Sequence, residues 1–164
     1  MIRNLITTVL FLLLSTAAFA APPCAIVTMG GADVDFPPGE ASPPNNDRNL
    51  SLIARLGCDG TVGGRLTDTW ASEENITLHA TLDCLVVEGD DAWMSGFLTK
   101  VTPAVIGDFA GVPVSIRVRD NGTSADDPPD QSSFVFLFAE AFECTEKPDY
   151  ELFDLHGQVQ IGEF

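Results

Sequence analysis

Positive charge is the scarcest property of this 164-residue chain, with 8 Lys and Arg set against 24 Asp and Glu. Phosphate binding needs clustered Lys and Arg, so nucleic acid is excluded as an expected partner, and anionic lipid surfaces are disfavoured for the same reason. Histidine is rarer still, at 2 residues. The sequence has no Gly-x-Ser-x-Gly elbow, phosphate-binding loop, His-Glu-x-x-His or dinucleotide fingerprint. A Ser-His-Asp arrangement would have to use His79 or His156, and both fall among polar residues of alternating segments. Enzyme activity is therefore not expected, and no catalytic residue is assigned. Internal repeats are not evident, and no segment sustains a capped 3.6-residue stripe, which argues against a helical fold. Hydrophobic residues still make up 45 % of the chain, too many for a disordered one. The length suits one domain.

The first residues set the compartment. Arg3 supplies one positive charge, Leu5 to Ala17 is apolar apart from hydroxyls, and Ala18-Phe19-Ala20 has the small-x-small form of a signal-peptidase site. The apolar run is shorter than the roughly 20 residues of a stable membrane span. Residues 1–20 are thus expected to be a signal peptide, and 21–164 a single exported domain, secreted, periplasmic or on the cell surface. No membrane association is expected after cleavage. Pro22-Pro23 before Cys24 does not resemble a lipobox.

Export changes what the cysteines mean. Cys24, Cys58, Cys84 and Cys144 form an even set in a compartment where disulfides persist, and none is in a Cys-x-x-Cys pair. Two structural disulfides are expected. Three connectivities are open, and the preferred one is Cys24–Cys58 with Cys84–Cys144, which would pin the N-terminal segment to the first turn and tie the middle to the end.

The dominant period is two. Leu50, Leu52, Ala54 and Leu56 alternate with polar neighbours, as do Val62, Leu66 and Trp70, and the pair around Gly57-Cys58-Asp59-Gly60 reads as a hairpin. Ile76, Leu78, Ala80, Leu82, Cys84 and Val86 make the longest stripe, with a turn at Glu88–Asp91 and a return strand from Ala92 to Val101. Further stripes are Val112–Val118, Phe134–Phe138 and Phe153–Ile161. With Cys24–Met29 this predicts about eight strands of an all-β fold. The meander-like order favours an antiparallel barrel, and the alternative is a two-sheet sandwich. Helical turns are expected only within Pro103–Phe109 or Ala139–Cys144.

Two segments break the period. Gly30–Asp47 is a Pro-rich loop, and Arg119–Asp130 is an acidic one. Hard cations want several oxygens at close range, and Asp120, Asn121, Asp126, Asp127 and Asp130 could supply them from one loop, so calcium is the cofactor this loop could take. The loop lacks EF-hand spacing, and the competing reading is solvated surface.

Cys84-Leu85-Val86-Val87-Glu88-Gly89, with Ala92 and Gly96, then Asp120-Asn121-Gly122 and Pro128-Pro129-Asp130, resembles an uncharacterised group of secreted bacterial β-domains. Members carry a Cys-Leu-x-Val-x-Gly strand and an Asp-Asn-Gly…Pro-Asp loop. The match covers about residues 76–138, implies an extracytoplasmic β-domain and brings no catalytic residues.

Trp93, Phe97 and Val101 alternate opposite Ala92, Met94, Gly96 and Leu98, so both faces of that strand are largely apolar. Either the strand is covered on both sides, or Trp93 and Phe97 form an exposed ridge for a protein or glycan partner. The expected function is a non-catalytic secreted or surface module with a structural or binding role. A small-ligand-binding barrel is the alternative.

Overall fold

The computed structural model describes residues 23–34, 48–70, 76–103, 109–124, 126–137 and 141–164. The expected signal peptide and residues 35–47 of the Pro-rich loop lie outside them. Nine antiparallel strands form one sheet. They are β1 (Pro23–Val34), β2 (Arg48–Gly57), β3 (Val62–Trp70), β4 (Ile76–Glu88), β5 (Asp91–Thr102), β6 (Pro113–Arg119), β7 (Gln131–Ser132), β8 (Phe136–Leu137) and β9 (Phe153–Glu163). The pairings run β5-β4-β3-β2-β1-β9-β7-β6, and β6 pairs back to β5, so eight strands form a ring while β8 adds to β6 alone.

Period-two sequences produce this ring because each strand must bury one side. Inward-facing residues such as Val27, Leu52, Leu66, Met94, Ile116 and Val159 join one apolar cluster, each at most 5 % exposed. Small residues occupy the tightest row. Leu82 pairs with Gly64 on one side and Gly96 on the other. A Cβ on Gly96 would collide with the Thr81 carbonyl, and one on Gly64 would lie 2.6 Å from the Ile53 carbonyl oxygen. Glycine lets the strand backbones close up there.

The β2–β3 hairpin forms where predicted. Asp59 Oδ1 accepts the Thr61 amide (3.0 Å) and hydroxyl (2.6 Å), and Gly60 takes the positive φ of 84° that the turn needs. Both disulfides follow the preferred pairing, Cys24–Cys58 and Cys84–Cys144, with Cα separations of 4.9 and 5.9 Å.

Several boundaries differ from the sequence reading. β1 continues past Gly30 to Val34, because after an irregularity Ala32 pairs with Leu50 and Val34 with Leu155. The segment around Phe134–Phe138 is not one strand, and its described part gives two-residue β8 after the equally short β7. The helical turn lies at Cys144–Glu146, starting at the last residue of the expected Ala139–Cys144 span, while 104–108 and 139–140 fall outside the described residues. Most consequential are two bulges in the β4–β5 pair. Leu82 pairs with Gly96 but Cys84 with Ser95, so Asp83 is inserted and the inward parity passes to Leu85, 5 % exposed. His79 pairs with Lys100 but Ala80 with Leu98, so Thr99 is inserted and Val101 turns inward at 8 %. The sequence stripe had placed Cys84 and Val86 with the core, and Val101 beside Phe97. One extra residue per strand reverses each assignment.

Candidate binding surfaces

The acidic loop joins β6 to β7, and its side chains mostly serve backbone groups. Asp130 is buried, with Oδ1 accepting the Asn121 amide and Oδ2 the Val159 amide, both at 2.7 Å. Asp120 Oδ2 accepts the Ile161 amide (2.9 Å), and Oδ1 accepts the Gly122 amide (3.0 Å). Asn121 Nδ2 donates to the Pro129 carbonyl (2.6 Å). Asp127 Oδ2 accepts the Ser124 amide (2.8 Å), and the exposed Asp126 gives its own amide to Ser124 Oγ (3.3 Å). β9 pairs with β7 only at Phe153 and Asp154. Further along its edge, carboxylates take the place of a neighbouring strand's carbonyls. Among the described residues no three His, Cys, Asp or Glu side chains are grouped as a metal would require.

The outward face of β5 has two fates. Trp93 is 7 % exposed, because the segment 141–152 crosses over it as a strap. Trp93 Nε1 donates to the Pro148 carbonyl (3.0 Å), and the Arg117 guanidinium sits 5.1 Å above its ring. The strap is held by Cys84–Cys144, by the Cys144 amide on Ser95 Oγ (3.1 Å), and by Tyr150 Oη against Ser115 Oγ (2.6 Å). Tyr150 stacks on Phe136 at 4.0 Å. Arg117 completes the contact through Asp91 (3.0 Å) and Asp149 (2.8 Å). Asp91 also binds Arg119 at 2.8 Å. Burial alone would raise the Asp91 pKa, but the hydrogen bonds and charges of Arg119 and Arg117 outweigh it and hold this carboxyl below its ordinary value, while Asp91 raises that of Arg119. Trp93 is therefore covered, and Phe97, at 46 % exposure, stands open.

Sequence patterning missed a buried charge pair. Arg48 Nε and Nη2 donate to Asp68 Oδ1 and Oδ2 at 2.7 and 2.6 Å, and Trp70 Nε1 donates to Asp68 Oδ2 at 2.8 Å. Asp68 is 0 % and Arg48 7 % exposed. The signal was present in the alternation, since Arg48 shares the parity of Leu50 and Leu52, and Asp68 that of Leu66. The two histidines lie on different strands. His79 on β4 places Nδ1 3.4 Å from Thr67 Oγ1, and His156 on β9 is exposed and paired across the backbone with Asp33.

Comparison with protein families, curated proteins and solved structures returns no match.

Proposed function

We propose that the protein is a non-catalytic, extracytoplasmic β-barrel module that binds through its outer surface. The observation that carries this reading is the distribution of polarity about the ring. One connected apolar cluster occupies the inside, while Arg65, Thr81, Lys100, Asp154, Gln158 and Gln160 are exposed on the outside. A membrane-spanning barrel needs the reverse, an apolar outer band around a polar interior. Inward-facing Leu, Val, Met and Ile that touch one another support a packed interior over a ligand chamber. The ring of pairings supports a barrel over a two-sheet sandwich, and the two disulfides support an oxidising compartment.

Native mass spectrometry of protein purified from its own export route tests the reading. The expected mass is the processed chain beginning at Ala21, without free thiols or a retained apolar ligand. A stoichiometric small apolar molecule carried through purification would establish the alternative, a ligand-binding barrel. Calcium is not required by this proposal, because the oxygens of Asp120 and Asp130 and one oxygen of Asp127 already accept amide protons. Melting in calcium should match melting in sodium chloride of equal ionic strength, whereas a calcium-specific rise would assign the ion to the 120–130 loop.

A further inference from the structure

All Lys and Arg except Arg3 lie among the described residues. Arg48, Arg117, Arg119 and Lys147 each bind a carboxylate at 3.0 Å or less. Among the described residues no carboxylate pairs with Arg55, Arg65 or Lys100. These three cations share one place, the exposed outer face of β2 to β5. Register fixes their arrangement. Ile53, Arg65, Thr81 and Phe97 are successive cross-strand partners and form one row, and Ser51, Thr67, His79 and Lys100 form the next. Arg55 pairs with Gly63, beside Arg65. Asp83 is the acid nearest this row along β4, two positions beyond Thr81.

From this face we infer that the protein binds an acidic polysaccharide, a chain of carboxylate- or sulfate-bearing sugars laid across β2 to β5. The inference rests on the outer-surface binding role proposed above. Isolated cations in a strongly acidic protein would be expected to find carboxylate partners, and three left unpaired on one face offer a complementary surface to an anion. Their spread, three inter-strand gaps of about 4.8 Å, is about 14 Å, the scale of a short oligosaccharide. Phe97, 46 % exposed at the end of the Arg65 row, supplies an apolar ring face for a sugar, and the flanking Thr67 and Thr81 supply hydroxyls. Duplex nucleic acid and anionic bilayers present denser or broader negative charge, which the remaining acidic surface repels.

Affinity electrophoresis of the exported protein through gels containing polygalacturonate, a sulfated glycan or neutral dextran tests the inference. Retardation by one or both acidic polymers, absent with dextran and weakened by salt, is expected. Arg65→Gln with Lys100→Gln should weaken binding about tenfold or more, and Phe97→Ala by a smaller factor. Arg65→Lys should retain most of it, and Lys147→Gln, on the Glu88 pair elsewhere, should leave it unchanged. Circular dichroism confirms that each variant is folded. No retardation by either acidic polymer, equal loss in Lys147→Gln, or tighter binding to DNA or phosphatidylglycerol vesicles would overturn the proposal. Such failures leave the packed interior untouched, so they are distinguishable from a failure of the module reading, which would show as a ligand retained inside the ring.

Discussion

The Asp130 carboxylate accepts the amide proton of Val159 at 2.7 Å, across 29 positions of sequence. Its other oxygen holds the Asn121 amide, so one buried side chain fastens the acidic loop to the last strand. Asp130→Ala should leave two amides without acceptors, at a cost of about 1–3 kcal/mol for each that stays dry. Hydrogen exchange locates the effect, with Val159 and Asn121 losing protection. Asp120→Ala should do the same at Ile161 and Gly122. Unchanged protection at these amides would reject the assignment.

The Arg48–Asp68 pair makes a different prediction. Asp68→Ala removes the bidentate carboxylate from a buried guanidinium beside Trp70 and should cost about 3–5 kcal/mol in urea denaturation. Replacing both partners with apolar residues, Arg48→Met with Asp68→Leu, should recover most of that loss, because desolvation of the two charges no longer has to be offset. A double variant no more stable than Asp68→Ala would contradict this account.

The strap over Trp93 depends on the Cys84–Cys144 bond. Cys84→Ser with Cys144→Ser should lower stability by about 2–4 kcal/mol. If the strap also lifts, Trp93 loses the Pro148 carbonyl and the Arg117 stack, and its fluorescence should shift to the red. The chain has 2 Trp, so a Trp70→Phe background isolates the signal. A blue or absent shift, with stability reduced, would mean that the remaining strap contacts suffice.

Acid should act on Asp91 in a defined direction. Its folded pKa is held below the ordinary 3.8, so the ion pairs with Arg117 and Arg119 contribute fully above that pH and fade as pH falls through the folded value. The stability gap between the wild type and Asp91→Asn, about 1.5–3 kcal/mol near neutrality, should therefore stay level down to about pH 5 and close below about pH 4. A gap that widened on acidification would have the wrong sign.

Strand content, the β2–β3 hairpin and the presence of two disulfides were legible because each rests on local alternation, turn residues or compartment, whereas the choice among three pairings depends on which strands lie together. The inserted Asp83 and Thr99 were not, since a bulge leaves no mark in a run that is apolar on both parities, as Leu82-Asp83-Cys84-Leu85-Val86-Val87 is. Trp93 and Phe97 looked alike in sequence and separate only because a strap more than forty positions downstream covers one of them. The acidic loop was visible as charge, but its use as a partner for β9 required knowing which strand would lie beside it. Arg55, Arg65 and Lys100 come together only through the register of four strands.

A sheet joined end to end offers no row of bare amides for another chain to extend. In this protein that protection is complete in backbone along most of the circuit, yet at Val159 and Ile161 it is delegated to two aspartates. Loss of those side chains would turn a stretch of β9 into an open strand edge, the template for edge-to-edge pairing between molecules. Asp120 and Asp130 therefore act as guards against self-association as well as local fasteners, and substitutions there should favour aggregation at concentrations the native protein tolerates.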